Sequence, residues 1–196
     1  LPTGLAVFDT LLPIVQGQRL GLFAGSGVGK SHLLSRLARG VAADVIVIGL
    51  IGERGREVRD FVEETLGEDG LQRAVVIAAT SDRSPPVRQR AASLKGYPAS
   101  MAQAVMSLCE RAGPGAEGQG DITAIPSFLV AGSDMEEPVA DTLRGVLDGH
   151  VVLSREIAER GRFPAIDLLR SVSRSLPRAA SAEENLQIAT ARRHLG

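Results

Sequence analysis

The chain holds no tryptophan, one tyrosine, five phenylalanines and one cysteine among its 196 residues. With aromatics at 3%, the core has to be aliphatic, and side chains on which nucleic-acid bases would stack are scarce. The lone Cys109 excludes an internal disulfide framework, and no Cys/His cluster has metal-ligand spacing, so a reducing compartment is the simpler expectation. An excess of either charge is missing as well. The 22 basic and 23 acidic residues give a formal net charge of -1, which excludes bulk attraction to nucleic acid or anionic lipid and leaves only a local basic groove open. The longest apolar runs, around 45–51, fall far short of the roughly 20 residues of a membrane-spanning helix. The opening Leu1-Pro2-Thr3-Gly4 has neither an initiator Met nor the charged and apolar regions of a signal peptide. The expectation is a stretch that begins inside a longer protein.

What is present, 44% hydrophobic and 23% charged residues, is ordinary for a soluble domain, and the length suits one domain with one sizeable core. After the polar turn Gln16-Gly17-Gln18-Arg19, the apolar run Leu20-Gly21-Leu22-Phe23-Ala24 enters a glycine-rich turn, which predicts a buried strand and a loop. Leu33, Leu34, Leu37 and Ala38 then recur at helical spacing, with Gly40 as the stop. Val45-Ile46-Val47-Ile48-Gly49-Leu50 is β-branched and does not alternate, which predicts a strand covered on both faces of a parallel sheet. A helix over 58–66 ended by Gly67, a strand over 74–78 and a loop at Ser84-Pro85-Pro86 follow. Farther on, the pattern predicts a helix over 101–111 and a flexible glycine-rich loop from Gly113 to Gly120. A strand over 122–130, with a bulge or edge at Pro126, and a short final strand over 150–154 come next. Ser181 and Glu184 form a capping box that opens a last helix. Strands alternating with helices place the fold in the α/β class.

The turn after the first strand carries the chemistry. In Ala24-Gly25-Ser26-Gly27-Val28-Gly29-Lys30-Ser31, three glycines free successive backbone N–H groups to wrap a phosphate at a helix N-terminus, although Ala24 stands where such loops usually carry their first Gly. Lys30 would bring its ammonium to the β- and γ-phosphates of a nucleoside triphosphate, and the Ser31 hydroxyl would bind Mg²⁺. Gly52-Glu53-Arg54-Gly55-Arg56-Glu57 follows the second strand directly, at the carboxyl end where open α/β sheets place ligand groups. Glu53 is the candidate base that polarises the attacking water, with Arg54 holding it in place. Spacing alone also admits a solvated charge cluster opening the next helix.

Four separated stretches, in order, support a resemblance. They are the phosphate loop from Phe23 to Ser31; Gly49-Leu50-Ile51-Gly52-Glu53-Arg54-Gly55-Arg56-Glu57; Leu147-Asp148-Gly149-His150-Val151-Val152-Leu153-Ser154-Arg155; and Phe163-Pro164-Ala165-Ile166-Asp167. Together they resemble the flagellar protein-export ATPase, whose family includes the injectisome ATPases of type III secretion and, more distantly, the catalytic subunits of rotary ATP synthases. The resemblance implies a RecA-like P-loop NTPase core with a mostly parallel β-sheet flanked by helices over 1–176, and the start of a C-terminal helical domain over 177–196. It puts Glu53 on the catalytic glutamate, where non-catalytic ring subunits carry Gln. It puts Phe163 on the aromatic that packs against adenine, and Arg174 on an arginine finger that reaches a neighbouring subunit. From the residues alone, Phe163 also reads as an ordinary core residue, and Arg174 as an exposed Arg beside Arg170 and Arg178.

Implied further are a homo-oligomeric ring of six, export-apparatus, stalk and regulator proteins, export substrates with their chaperones, and a place at the cytoplasmic face of the inner membrane. Membrane association would be peripheral only, and nucleic acid is not an expected partner. Three rival readings are an injectisome ATPase, a nucleotide-binding ring subunit that does not hydrolyse, and a RecA-like nucleic-acid translocase.

One departure stands out. In the family, the region after the prolines leads through a helix to an apolar strand ending in the Asp that holds magnesium through water. Here Arg88-Gln89-Arg90-Ala91-Ala92 passes almost at once to Lys95-Gly96-Tyr97-Pro98, and neither Asp121 nor Asp134 ends an apolar strand. The expectation is a missing helix-plus-strand unit near 92–95, of roughly 30 residues or more. It is either a disordered segment omitted between about Ala92 and Lys95, which is the favoured explanation, or a real deletion, which would remove a central strand and leave the sheet unpaired there. The resemblance further leads one to expect that these residues leave out the family's N-terminal β-barrel domain and hold only the start of its C-terminal helical domain.

Overall fold

The computed structural model describes residues 1–79, 99–130 and 138–195. The loop at Ser84-Pro85-Pro86, the shortfall near 92–95 and Asp134 lie outside them. In chain order the elements are α1 (Ala6–Thr10), β1 (Leu20–Ala24), α2 (Lys30–Gly40), β2 (Ile46–Ile51) and α3 (Gly55–Asp60), which continues into a π-helical turn (Phe61–Leu66). There follow α4 (Gly67–Leu71), β3 (Ala74–Ala79), α5 (Ala99–Glu110), β4 (Ser127–Leu129), α6 (Pro138–Val146), β5 (Gly149–Leu153), α7 (Arg155–Glu159), β6 (Ile166–Ser173) and α8 (Ala182–Leu195).

The strands form two sheets. One has the order β4-β1-β5-β6, with β4 and β5 parallel to β1 and β6 antiparallel to β5; the other is the parallel pair β2-β3. All five residues of β1 are buried, because helices cover both of its faces. Leu20, Leu22 and Ala24 join Val151, Leu153 and Ile166 against Leu33 and Leu37 of α2, with Phe8 and Leu12 beneath. Phe23 and Val152 point the other way, toward Cys109 of α5 and Leu143 of α6. Each large aliphatic side chain so enclosed contributes roughly 1.5–3 kcal/mol of transfer free energy. Cys109 is thus a small core residue, and its burial pushes the thiol up from its ordinary pKa.

Helix α2 also serves the second sheet. Its Ala38 packs with Phe61 and Leu66 against the inner faces of β2 and β3, where Ile46, Ile48, Leu50, Ala74 and Val76 lie, and Leu34 touches both clusters. The outer face of that pair is bare: Val47, Ile51, Val75 and Ile77 are 62%, 66%, 56% and 54% exposed. The expectation that β2 is covered on both faces therefore fails. Its residues alternate strictly between half-buried and exposed, because among the described residues helices pack on one side only.

Other expectations need adjusting. The strand over 122–130 shrinks to Ser127–Leu129, beginning after Pro126, whose carbonyl still accepts from Leu22 N–H at 2.8 Å. The glycine-rich stretch is a closed turn. Gly113 and Ile122 exchange backbone hydrogen bonds of 2.9 Å, and Gly115 N–H donates to Asp121 Oδ1 at 2.8 Å. The strand over 150–154 is not the last, since β6 follows it. The capping box forms as expected, with Ser181 N–H donating to Glu184 Oε2 at 2.7 Å and Glu184 N–H to Ser181 Oγ at 3.2 Å.

Candidate nucleotide-binding site

The glycine-rich turn links the end of β1 to the start of α2, and two of its glycines need their lack of a side chain. Gly27 has φ +76° and Gly29, the N-cap of α2, has φ +86°, a region that costs residues with a Cβ about 1–2 kcal/mol. Val28 between them is buried in the core and anchors the turn from below. No side chain caps the N-terminus of α2, and no acidic residue lies in its first turn. The positive end of the helix dipole and its unclaimed N–H groups are therefore available to an anion. An added Cβ at Gly27 would meet no atom within 4 Å, so the rim of the cradle is open.

Lys30 begins α2, and Glu53 follows β2. Gly52, at φ +78°, carries the ladder one step past the strand, its N–H donating to Ala79 O at 2.7 Å, and so presents Glu53 at the strand end. The two side chains meet: Lys30 Nζ is 3.8 Å from Glu53 Oε1, with 20% and 39% of the side chains exposed. A cation and a carboxylate thus stand together beside the glycine-rich turn, one from the start of α2 and the other from the end of β2. Ser31 is exposed on the first turn of α2, next to Lys30, and its hydroxyl oxygen is a group that could hold a metal.

Arg54 does not join them. Its NH1 lies 3.8 Å from Glu57 Oε1, and its side chain is 82% exposed. As the N-cap of α3, it sits three residues before Glu57 on one helical face, and that neighbour claims it in place of Glu53.

Phe163 is 56% exposed, which removes the reading of it as a core residue. Its ring lies along the loop, with Cε1 3.3 Å from where a Cβ on Gly29 would stand. Beside it a cleft of about 400 Å³ is lined by Leu5, Ala6, Val7, Arg36, Phe163 and Pro164 among others. An exposed aromatic beside the glycine-rich turn offers a flat apolar face to a planar ligand.

Arg174 follows β6, which runs antiparallel to β5, so it emerges at the opposite end of the sheet from the loop. Its guanidinium donates to the carbonyls of Leu147 and Arg144 at 3.2 Å each, and its backbone N–H to Asp148 O at 3.0 Å. The structure therefore does not bring Arg174 to Lys30 of the same chain. Beneath it lies a pair that the sequence reading missed, Arg19 and Asp148. The hydrogen bond from Arg19 holds the Asp148 carboxyl below the usual carboxylate range, against the opposing effect of burial. The sequence carries no signal for the pair; the register brings it together, since each residue directly precedes one of two strands whose first residues, Leu20 and Gly149, are partners.

Comparison with known proteins bears on the same residues. The ATP synthase alpha/beta family, nucleotide-binding domain, matches residues 4–94 and 88–173. The flagellum-specific ATP synthase of Rhizobium meliloti (strain 1021) is 44% identical over 229 residues, covering 95% of this chain and 49% of that protein. The protein of the same name from Salmonella typhimurium is 44% identical over 218 residues, covering 90% and 48%. The chain thus spans about half the length of these curated relatives. Among solved structures, an ATPase from the type III secretion system of pathogenic bacteria superposes with a TM-score of 0.84 at 34% identity, covering 97% of this chain and 67% of that one. The assembled ATPase EscN of enteropathogenic E. coli, in complex with its central stalk EscO, does so with a TM-score of 0.83 at 36% identity, covering 98% and 56%. With the phosphate cradle, the strand-end glutamate and these matches in agreement, the chain belongs to the ATP synthase alpha/beta family, through its nucleotide-binding domain.

Proposed function

We propose that this chain is the nucleotide-binding domain of an ATPase that energises flagellar protein export, a form of type III secretion. The observation that carries the reading is the meeting of Lys30 and Glu53 beside the loop. The cradle, from Gly25 to Ser31, holds the phosphates of ATP. Lys30 offsets charge on the β- and γ-phosphates as it builds up, and Phe163 packs on the adenine. Glu53 takes a proton from the attacking water, or orients it, at the γ-phosphorus. Ser31 would hold Mg²⁺, which when bound neutralises phosphate charge. A glutamate at position 53 favours turnover over mere occupancy by nucleotide, and the 44% identity to flagellar proteins favours export of flagellar over injectisome substrates.

Arg174 acts in trans. Its distance from its own loop, at the far end of the sheet, supports a ring in which it approaches the γ-phosphate bound by the next subunit. That ring would be a hexamer of the full-length protein, meeting a central stalk, regulators and chaperoned substrates at the cytoplasmic face of the inner membrane. No helix among the described residues is long and apolar enough to cross a membrane.

The domain reading is 1–176 for the RecA-like unit and 177–196 for the start of a helical domain, with a helix and strand missing near 92–95. Three observations support that gap. Family matches break and overlap at 88–94, an alignment of 229 residues exceeds the 196 of the chain, and β2 and β4 lie in separate sheets. The test is the intact mass of the purified polypeptide together with MgATP turnover at rising protein concentration. A mass above that of the 196 residues, with turnover per chain that rises on assembly and is lost in Glu53→Gln, is the expected result. A mass equal to it, with no turnover at any concentration, would leave a binding domain without catalysis.

A further inference from the structure

Strands β1 and β5 run in parallel register, with Ala24 opposite Leu153. Carried two residues past the strand ends, that register sets Arg155 opposite Ser26, at the apex of the glycine-rich loop. There the Arg155 NH2 donates to the Ser26 carbonyl at 3.0 Å. A trans peptide unit is planar, so its C=O and the N–H of the next residue point in opposite directions. Holding the Ser26 carbonyl toward Arg155 therefore turns the Gly27 N–H away from it. Among the described residues no other hydrogen bond secures this peptide. Gly27 sits at φ +76° with no atom within 4 Å of its Cβ position, and both Ser26 and Gly27 are exposed. The stem of Arg155 is set by the start of α7, where Ser154 Oγ accepts from Ile157 N–H at 3.5 Å. Among the described residues no carboxylate competes for its guanidinium.

We propose that Arg155 is a positioning residue for the phosphate cradle: by holding the Ser26–Gly27 peptide from outside, it keeps the Gly27 N–H turned into the loop, ready for a phosphate oxygen. The role is indirect, since Arg155 reaches the backbone and not the phosphate. An anion site built from N–H groups works only if those groups already point inward, and a glycine peptide left free would have to be ordered by the ligand at a cost in affinity. The inference rests on the nucleotide-binding reading above.

The test compares the parent chain with Arg155→Met, Arg155→Lys and, as a control, Lys30→Ala. Calorimetry with MgATP and with inorganic tripolyphosphate gives affinity, and the ¹H–¹⁵N resonance of Gly27 in the free chain reports the peptide. Arg155→Met is expected to bind both ligands about 10-fold more weakly, with the Gly27 resonance shifted or broadened. Arg155→Lys, which keeps a cationic donor, is expected to recover most of the affinity and the parent resonance. Unchanged Gly27 resonance and affinity in Arg155→Met would overturn the proposal. So would a loss that is the same for Met and Lys, or one that vanishes at high salt with no change at Gly27. A parent chain that binds no MgATP would refute the nucleotide reading, while the Gly27 resonance would still decide the role of Arg155.

Discussion

Arg19 grips Asp148 at three points: Nε to Oδ2, NH2 to Oδ1, and its own backbone N–H to Oδ2, each at 2.9 Å. Asp148 in turn accepts on its backbone carbonyl from Arg174 N–H at 3.0 Å and Gln18 Nε2 at 3.1 Å. The entry to the loop-bearing strand β1 and the backbone of Arg174 are thus fastened to one residue.

That contact makes stability depend on pH in a definite direction. The folded-state pKa of Asp148 is depressed, chiefly by the Arg19 hydrogen bond, so its contribution is present above the ordinary carboxylate value of about 3.9. It is lost as pH falls through the lower folded-state value. Both side chains are partly solvated, at 28% and 37% exposure, which keeps the contribution small. Urea denaturation is expected to show Asp148→Asn less stable by about 1 kcal/mol at pH 7, with the difference closing as pH falls below the ordinary carboxylate range. A difference that stays constant across that range would mean the pair acts by shape and not by charge.

Two glycines with nearly equal backbone angles should respond differently to alanine. Gly17, at φ +74°, faces backbone: an added Cβ would stand 2.6 Å from Pro114 N and 2.9 Å from Gly113 C. Gly27, at φ +76°, faces open space. Gly17→Ala is expected to cost about 3 kcal/mol and Gly27→Ala about 1 kcal/mol, read as shifts in urea midpoint. Equal losses would show that the Gly113–Gly120 turn yields to accommodate the methyl group.

Phe163 separates packing from recognition. Because the side chain is more than half exposed, Phe163→Ala is expected to change unfolding free energy by less than about 1 kcal/mol. Loss of stacking should weaken MgATP about 10-fold and leave inorganic tripolyphosphate unaffected. Equal weakening of both ligands would place the ring's role at Gly29, whose Cβ position it lies against, and not at the base.

If Arg174 works across a subunit boundary, inactive variants should complement one another. Arg174→Ala alone and Lys30→Ala alone are each expected to lose turnover by about 10³-fold in the assembled full-length ring. Mixed rings should recover part of it, because some interfaces then pair an intact loop with an intact finger. No recovery at any mixing ratio would contradict a role in trans.

Local chemistry explains what could be read in the sequence. The end of β1 and the start of α2 follow from an apolar run, glycines and a helical repeat within one short stretch, and the structure has them at Ala24 and Lys30 as expected. Strand β6 escaped because its inward positions include Ser171 and Ser173, which are buried yet polar. Ser171 Oγ accepts from Val152 N–H at 3.0 Å, and Ser173 Oγ donates to Pro13 O at 2.7 Å, so hydrogen bonds stand in for the apolar periodicity that marks a strand. Helix α1 has only five residues, too few for a repeat to show. The bare face of β2 was not legible, because a run of Val and Ile reads the same whether or not a second layer covers it. Arg54 was assigned to Glu53 by adjacency, whereas helical spacing gave it to Glu57.

If the loop and Glu53 form one site with separable tasks, equilibrium MgATP binding by Lys30→Ala and Glu53→Gln, measured side by side with the parent, will tell those tasks apart. Glu53→Gln is expected to bind within about threefold of the parent, since the carboxylate serves the attacking water and not the phosphates. Lys30→Ala should lose binding by 10-fold or more, as about 1.4 kcal/mol or more of phosphate interaction disappears. Lys30→Ala binding as tightly as the parent would contradict the account, because the glycine-rich turn beside Lys30 and Glu53 would then not be where the triphosphate sits.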